Sequence, residues 1–202
     1  MVFLKAPRVG TVKTRLAEGI GAAAACEAYR HLVLTLLGKL ASLRSVELCF
    51  TPADAEAELT SWLREGWGNQ PQISGDLGER LHGAFLAHFQ SGAERVVIIG
   101  ADCPEVLPAD VAAAWRALGD HDVVLGPATD GGYWLIGLRA PQSQLFTAMP
   151  WSTAAVLAET QRRARASGLS IALLRELSDV DNLADWERWK HSEAGRGGSL
   201  ET

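Results

Sequence analysis

Cysteine is scarce in this 202-residue chain, which contains Cys26, Cys49 and Cys103 and no others. Three residues at these distances form neither a disulfide framework nor a zinc-binding pattern. The sequence therefore favours a reducing cytoplasm as the compartment. We interpret Cys103 as a small buried side chain rather than as a catalytic nucleophile.

The chain also lacks an apolar run long enough to cross a membrane. The longest apolar stretch, residues 22–43, includes Glu27, Arg30 and Lys39, and such charges exclude it as a membrane span. No signal peptide is expected, because a four-residue apolar start leads directly into Lys5. The sequence thus predicts a cytoplasmic protein without a membrane span.

An excess of positive charge is missing as well. Acidic residues outnumber basic ones by 24 to 19, and the net charge is −5. This balance argues against a nucleic-acid partner and favours a small molecule. The length predicts one domain over residues 1–190. Residues 191–202, with three glycines and small polar side chains, are expected to form a flexible tail.

Residues 95–104 contain the strongest local signal in the sequence. Val96–Ile99 is an unbroken β-branched run, which predicts a strand buried on both faces, as in a parallel sheet. Pro104 prevents its continuation as an inner strand, so Asp102 follows the carboxyl end, where open α/β sheets bind ligands. A carboxylate there suits a divalent cation that also contacts phosphate. The alternative is that Asp102 only caps its own turn.

The basic loop between Lys5 and Arg15 follows the first predicted strand. Its glycine, Gly10, and its four cations suit a loop that binds phosphate oxygens. The loop is not a Walker A motif, because Val12 stands where that motif requires glycine. A solvated basic loop with no ligand is the other interpretation.

Strands alternate with helices along the rest of the chain. This alternation predicts a three-layer α/β/α fold on a mostly parallel, mixed sheet. The predicted strands cover residues 1–4, 46–51, 96–99, 122–127 and 171–174, and residues 130–138 are predicted to be a turn that leads into a further strand. The predicted helices cover residues 22–43, 53–64, 77–89, 108–118, 153–167 and 183–190, and residues 66–71 are predicted to be a loop. Val111, Trp115 and Leu118 are expected to face inward, and Ser152 and Asn182 to be N-caps.

Two acidic turns allow both a structural and a functional interpretation. Asp76, with Glu79 three residues later, forms an acidic variant of the capping box at a helix start. Asp130, followed by two glycines, is typical of a hairpin turn. The functional alternative is that the glycines of both turns allow a ligand to approach the backbone, with Arg80 projecting from the first helical turn.

Six ordered motifs together resemble one known family. They are Phe3-Leu-Lys-Ala-Pro-x-x-Gly-x-Val-Lys-Thr-Arg-Leu16, Gly75-Asp-Leu-Gly-Glu-Arg-Leu81, Gly100-Ala-Asp-Cys-Pro104, Gly126-Pro-Ala-x-Asp-Gly-Gly-Tyr133, Trp151-Ser-Thr153 and Asp179-Val-Asp181. The pattern resembles the bacterial DUF2064 group, small GT-A-fold glycosyltransferases associated with arsenosugar biosynthesis. It is more distantly similar to the molybdenum-cofactor and phospholactate guanylyltransferases.

This resemblance implies a role for each motif. The first loop would hold nucleotide phosphates, and the segment that begins the helix after the third strand would lie beside the base. Asp102 would bind a magnesium or manganese ion, completed by Asp181 or, in its place, Asp179. Asp130 is expected to face the acceptor as a base or orienting group. The implied nucleotide- or substrate-binding residues are Lys5, Pro7, Gly10, Lys13, Arg15, Gly75, Asp76, Gly78, Arg80, Gly131, Gly132, Tyr133 and Trp151, with Lys13 and Arg15 also assigned to catalysis.

Three functions remain open from the sequence. The first is metal-dependent glycosyl transfer from a nucleotide sugar to a small acceptor. The second is nucleotidyl transfer with release of pyrophosphate, because a single Asp102 replaces the Asp-x-Asp of related glycosyltransferases. The third is a nucleotide-binding regulatory module without catalysis.

Overall fold

The computed structural model describes residues 1–197 of the chain, with side chains to Ser192. Within these residues seven strands form one sheet in the order β3-β2-β1-β4-β6-β5-β7. β6 is antiparallel to both of its neighbours, and every other pairing is parallel. The strands are β1 (Val2–Lys5), β2 (Glu47–Thr51), β3 (Gly68–Pro71), β4 (Val96–Gly100), β5 (Val123–Pro127), β6 (Tyr133–Leu138) and β7 (Ile171–Leu173).

Helices connect the strands and cover both faces of the sheet. Within the described part of the chain the α-helices are α1 (Thr14–Ile20), α2 (Ala22–Lys39), α3 (Glu56–Leu59), α4 (Leu77–Gln90), α5 (Pro108–Ala117), α6 (Val156–Ala166) and α7 (Leu183–Gly197). Short 3-10 turns occur at Leu40–Ser42, Thr60–Trp62 and Ser143–Leu145. None of the described helices is both long enough and apolar enough to cross a membrane, and the cytoplasmic location stays a prediction.

The core has two sides because neighbouring strand residues point to opposite faces. Val97 and Ile99 of β4 pack in the cluster that contains Val33, Leu36 and Leu37 of α2. Val96 and Ile98 pack on the other face, in the cluster that contains Phe85 of α4. The predicted three-layer α/β/α fold, and the burial of this strand on both faces, are confirmed.

The prediction of a loop at residues 66–71 is wrong. Gly68–Pro71 forms the edge strand β3 and pairs in parallel with β2. Its sequence, Gly-Asn-Gln-Pro, has no alternation of apolar and polar residues, and the strand is half exposed. The pattern that identifies a buried strand is therefore missing. Pro71 is tolerated because an edge strand need not donate a hydrogen bond from every residue.

Two predicted helices are shorter than expected. The helix predicted at 153–167 begins at Val156, and Ser152 lies in the left-handed region with φ 62° instead of acting as its N-cap. The helix predicted at 53–64 is one α-helical turn followed by a 3-10 turn, and Leu59 and Trp62 are buried. The conformation of this segment is thus determined by the packing of these two side chains, and a continuous helix is not needed to bury them.

Four further helices differ from the sequence predictions. Thr14–Ile20 is a helix that was not predicted, and Trp115, expected to face inward, is 49% exposed. α2 ends at Lys39 and continues as a 3-10 turn. The last helix extends to Gly197, so residues 191–197 are helical and not a tail. The remainder of the predicted tail, residues 198–202, lies outside the described residues, and the single domain stays a prediction.

Candidate active site

A cavity of about 420 Å³ opens where β1, β2 and β4 end. This is the carboxyl edge of the parallel strands, the position at which ligands bind in open α/β sheets. Most of its polar lining comes from the end of β1 and the loop after it, from residues around the start of α4, and from the loops after β4 and β7, and α2, β2 and β6 contribute one residue each. The polar lining residues are Lys5, Thr11, Lys13, Thr14, Tyr29, Thr51, Gln72, Arg80, Asp102, Cys103, Tyr133, Asp179 and Asp181.

Lys13 and Asp102 form an ion pair in this cavity, between Nζ and Oδ1. The Lys13 side chain is only 3% exposed, whereas that of Asp102 is 53% exposed. Lys13 lies at the N-cap of α1 with φ 49°, so the turn directs its side chain inward and not along the helix. A cation and a carboxylate, both predicted from the sequence to contact a ligand, therefore lie side by side at the carboxyl edge of the sheet.

Arg15 and Asp181 form a second, more exposed pair. Arg15 Nη1 donates to Asp181 Oδ2 at 2.8 Å, and the two side chains are 67% and 43% exposed. Arg15 is the second residue of α1, two residues after Lys13 at the N-cap. An exposed pair of this kind contributes little to stability, which leaves both side chains available to a ligand.

Asp179 is the most buried acid in the cavity. The Cys103 thiol donates to Asp179 Oδ1 at 2.6 Å. The pKa of Asp179 is raised to about 6, mainly because the carboxyl group is buried. The hydrogen bond from Cys103 lowers this pKa, whereas the negative charges of Asp102 and Asp130 raise it further. Burial and the neighbouring Asp179 also raise the pKa of the Cys103 thiol, so this cysteine is a weak nucleophile.

One backbone hydrogen bond joins the two acidic loops. The N–H of Val180 donates to the carbonyl oxygen of Asp102 at 3.1 Å. Val180 is itself buried, which fixes Asp179 and Asp181 on either side of it. The loop after β7 is thereby held against the loop after β4, although β5 and β6 separate those strands in the sheet.

Side chains of α2 hold the end of β1 and the loop that follows it. The hydroxyl of Tyr29 accepts from Lys5 N–H at 2.9 Å and donates to Lys5 C=O at 3.0 Å. Burial raises the pKa of Tyr29, so its hydroxyl stays protonated. The Pro7 carbonyl accepts from the Cys26 thiol at 3.0 Å, and Gly10 turns the chain with φ 82°. Lys5 lines the cavity, whereas Pro7 and Gly10 shape the loop without lining it.

The start of α4 carries the predicted capping box. Asp76 Oδ1 accepts from Glu79 N–H at 2.9 Å, and Glu79 Oε2 accepts from Asp76 N–H at 2.7 Å. Both acids thus have a structural explanation. Gly75 allows the approach of the Glu79 side chain, and Gly78 that of the Phe146 carbonyl. Of the four residues predicted here to bind nucleotide, Arg80 lines the cavity, and Gly75, Asp76 and Gly78 do not.

The turn before β6 also has a structural explanation. Asp130 Oδ1 accepts from Gly132 N–H at 2.8 Å, and Gly131 has φ 88°. Asp130 is exposed, and its charge acts on the pKa of Asp179, so it lies near the cavity without lining it. The assignment of Asp130 to catalysis stays a prediction.

Tyr133 and Trp151 form an aromatic pair beside the cavity. Their rings meet edge to face, with 6.5 Å between the centroids. Tyr133 lines the cavity and Trp151 does not. The indole Nε1 of Trp151 is buried without a hydrogen-bond partner among the described residues.

A divalent cation fits the chemistry of the acids in this cavity. Magnesium takes one or two protein carboxylates and completes its coordination with water and phosphate oxygens. Asp102 and Asp181 each use one oxygen in an ion pair, and the second oxygen of each accepts no hydrogen bond from the described residues. The described side chains, up to Ser192, include no cluster of three or more His, Cys, Asp or Glu residues suited to a metal. The protein alone would thus supply only part of the coordination.

Several cavity residues were not identified from the sequence. Gln72, Thr51 and Tyr29 lie outside every motif that was singled out, and each reaches the cavity through tertiary packing. Thr11 and Thr14 lie within the basic loop motif, and position after β1 is the one signal that could have indicated them. Asp179 was recognised as an alternative to Asp181, and both line the cavity.

A second cavity, of about 860 Å³, lies at the opposite edge of the sheet. It is lined mainly by apolar residues around Met1, Leu43 and Trp115. None of the residues predicted to bind or transfer a ligand lines it. The carboxyl-edge cavity is therefore the candidate active site.

Comparison with known proteins identifies the family. Residues 36–153, more than half of the chain, match the DUF2064 family, described as an uncharacterized protein conserved in bacteria. The chain belongs to the DUF2064 family. A search of curated proteins finds no match to it.

Solved structures share the fold over almost the whole chain. A Desulfovibrio desulfuricans G20 protein, provisionally assigned as a nucleotide-diphospho-sugar transferase, is 31% identical with a TM-score of 0.83, over 96% of this chain and 94% of that chain. The inositol-1-phosphate CTP transferase from T. maritima is 13% identical with a TM-score of 0.57, over 96% of each chain. The 4-diphosphocytidyl-2C-methyl-D-erythritol synthase from Anaerococcus prevotii DSM 20548 is 7% identical with a TM-score of 0.64, over 96% of this chain and 97% of that chain. The last two show a likeness of fold alone, which is the nucleotide-diphospho-sugar transferase fold.

Proposed function

We propose that this DUF2064 protein is a transferase that acts on a nucleotide-activated substrate, with glycosyl transfer from a nucleotide sugar to a small acceptor as its reaction. The observation that carries the proposal is the Lys13–Asp102 pair in a cavity at the carboxyl edge of the sheet. The 31% identical relative, assigned to the nucleotide-diphospho-sugar transferases, supports this substrate class.

The proposed reaction requires little covalent chemistry from the protein. A nucleophilic oxygen of the acceptor attacks the anomeric carbon, the bond from that carbon to the diphosphate oxygen breaks, and the nucleoside diphosphate leaves. Lys13 and Arg15 would bind the diphosphate and stabilise the negative charge that develops on it. Asp130 would take the proton of the acceptor, provided that the bound acceptor lies within hydrogen-bond reach.

A divalent cation, magnesium or manganese, is part of the proposal. Asp102 and Asp181 would bind it through the carboxylate oxygens that are not engaged in their ion pairs, Oδ2 of Asp102 and Oδ1 of Asp181. When bound, it would supply further positive charge to the departing diphosphate. Because two carboxylates in one cavity repel each other, such a cation would also offset this repulsion.

Nucleotidyl transfer is the second candidate, and the same pair favours it. A single acid, Asp102, is placed against a buried lysine. That arrangement also suits attack by an acceptor phosphate on the α-phosphate of a nucleoside triphosphate, with departure of pyrophosphate. Lys13 and Arg15 would then bind the β- and γ-phosphates.

The product distinguishes the two reactions. The purified protein would be incubated with magnesium and a panel of nucleotide sugars, with water as a slow substitute for the unknown acceptor, and separately with nucleoside triphosphates and sugar phosphates. We expect release of a nucleoside diphosphate from the first panel, lost in Asp102→Asn and retained in Asp120→Asn, an exposed control. Release of pyrophosphate from the second panel would favour the alternative. Absence of nucleotide binding in calorimetry would contradict both.

A further inference from the structure

The side chain of Gln72 has a fixed orientation at one end of the candidate active site. Gln72 is the first residue after β3, and its Nε2 donates to the carbonyl oxygens of Cys49, at 2.7 Å, and Leu4, at 3.3 Å. Both partners can only accept, so the assignment of nitrogen and oxygen in this amide is determined. Gln72 Oε1 therefore faces away from the strands, where it accepts from Arg80 Nη1 at 3.3 Å.

Arg80 keeps most of its hydrogen-bonding capacity. Its Nε donates to the Asp76 carbonyl at 3.2 Å and its Nη1 to Gln72, and a guanidinium has five N–H groups. Among the side chains that the structure describes, which end at Ser192, no acid forms an ion pair with it. Because Arg80 lines the cavity, its remaining N–H groups are available there. Since both ends of the Gln72 amide are engaged, this end of the cavity offers donors to a ligand.

This donor end is separate from the Lys13–Asp102 pair. Gln72 follows β3 and Asp102 follows β4, and these strands are three places apart in the sheet. Adjacent strands are about 4.8 Å apart, so the two ends are about 14 Å apart along the edge of the sheet. A nucleotide whose diphosphate lies beside Lys13 can therefore extend its base toward Arg80. Leu77, which also lines the cavity, supplies an apolar surface there.

We propose that Arg80, held in place by Gln72, selects nucleotides whose base presents two adjacent hydrogen-bond acceptors. Guanine offers O6 and N7, and cytosine offers O2 and N3, either of which suits the parallel N–H groups of an arginine. Adenine places its exocyclic amine beside N7 or N1, and this donor opposes the guanidinium. The inference rests on the proposed function and adds the class of base.

The test compares binding of three nucleotides to the intact protein. Isothermal titration calorimetry with GDP, CDP and ADP in magnesium would give the three dissociation constants, with inorganic pyrophosphate as a probe of the phosphate end. We expect GDP or CDP to bind at least tenfold more tightly than ADP, because a bidentate arginine–base contact discriminates by about this factor. The Arg80→Gln variant should lose this preference and keep its pyrophosphate affinity. Arg116→Gln, an exposed arginine of α5, should keep both.

Each other outcome has a distinct meaning. Equal affinity of the wild type for GDP, CDP and ADP would overturn the inference and leave the proposed function intact. Loss of pyrophosphate binding in Arg80→Gln would show that Arg80 binds phosphate, and would overturn the inference as well. Failure of the wild type to bind any nucleotide or pyrophosphate would overturn the proposed function itself.

A second variant tests the role of Gln72 as a positioning residue. Gln72→Leu removes the acceptor for Arg80 and both bonds to the strand carbonyls. We expect the ratio of GDP or CDP affinity to ADP affinity to fall toward one, with pyrophosphate affinity unchanged. A purely structural role for Gln72 would lower the melting temperature and leave that ratio as it is in the wild type, which would overturn this part of the inference.

Discussion

Lys13 Nζ pairs with Asp102 Oδ1 across 89 residues of sequence. The pair joins the start of α1 to the end of β4. Neither partner is required by the local structure around it, since the lysine adopts a left-handed backbone conformation and the aspartate follows a strand that is already complete. A nearly buried lysine beside a half-exposed carboxylate is an arrangement that suits an anionic ligand better than it suits stability alone.

Replacing Lys13 with methionine tests this arrangement. We expect the affinity for a nucleoside diphosphate to fall by at least tenfold, because a hydrogen bond to a charged group contributes about 1.5–3 kcal/mol. The melting temperature should change little, since Asp102 is 53% exposed and remains hydrated. Calorimetry and thermal unfolding measure the two effects, with Lys190→Met in α7 as the control. Unchanged nucleotide affinity would remove Lys13 from the site.

Asp130→Asn separates the structural role of Asp130 from the chemical one. Asparagine retains the Oδ1 that accepts from Gly132 N–H, so we expect the turn and the melting temperature to be preserved. If Asp130 takes a proton from the acceptor, turnover should fall about 10²- to 10⁴-fold, with little change in nucleotide affinity. Full turnover in this variant would leave turn formation as the sole role of Asp130.

Local sequence signals predicted the parts of the fold that depend on few neighbours. The β-branched run of β4 and the Asp76–Glu79 capping box are each formed by residues close together in sequence, and the structure has both. The edge strand β3 has no apolar pattern, and it exists because β2 supplies hydrogen-bonding partners. The residues that determine this strand therefore lie in β2 and not in β3 itself.

The same distinction applies to the candidate site. Lys13, Asp102 and Asp181 follow predicted strands or lie in motifs, and all three line one cavity. Gln72 could not be identified, because its orientation depends on carbonyl groups of β1 and β2. The burial of Asp179 likewise depends on its contact with Cys103, 76 residues away. Sequence reasoning identified the charged groups and missed those that position them.

Gly78→Ala tests the structural explanation for this glycine. A Cβ at residue 78 would lie 2.5 Å from the Phe146 carbonyl oxygen and 3.0 Å from Trp151 Nε1. We expect a loss of about 1–3 kcal/mol in unfolding free energy from this overpacking, and a drop in melting temperature of about 2–4 °C per kcal/mol. Gly38→Ala is the control, since its Cβ meets no atom within 4 Å and alanine should stabilise α2 by roughly 0.5–1 kcal/mol. Equal melting temperatures for the two variants would contradict the explanation.

The Asp110–Arg175 pair should make stability depend on pH. Burial opposes the ionised form of Asp110, but its bonds from Arg175 and from Leu107 N–H outweigh this and lower its pKa below 3.8. A lowered pKa in the folded state adds stability above the unfolded value, and this stability is lost as the pH falls through the folded pKa. We expect Asp110→Asn to cost about 2 kcal/mol at pH 7, a difference that shrinks between about pH 5 and pH 2. Urea unfolding across this range would measure it, and a difference that stays constant with pH would contradict it.

The final prediction is that Asp102 and Asp181 bind one cation together. Both line the same cavity, and the Val180–Asp102 backbone bond holds their loops in contact. Each already has a cationic partner, so a metal ion would bind mainly when phosphate supplies further oxygens. We therefore expect manganese binding, measured by electron paramagnetic resonance with inorganic pyrophosphate, to weaken at least tenfold in Asp102→Asn and in Asp181→Asn. Asp120→Asn, an exposed control, should match the wild type.

The double variant Asp102→Asn/Asp181→Asn decides whether the ion is shared. If both carboxylates contact one ion, the two losses should fall short of additivity, because removal of either acid already disrupts the site. Wild-type manganese affinity in Asp181→Asn, together with loss in Asp179→Asn, would assign the second ligand to Asp179 and contradict the prediction. Equal affinities for Asp102→Asn and Asp120→Asn would exclude Asp102 as a ligand.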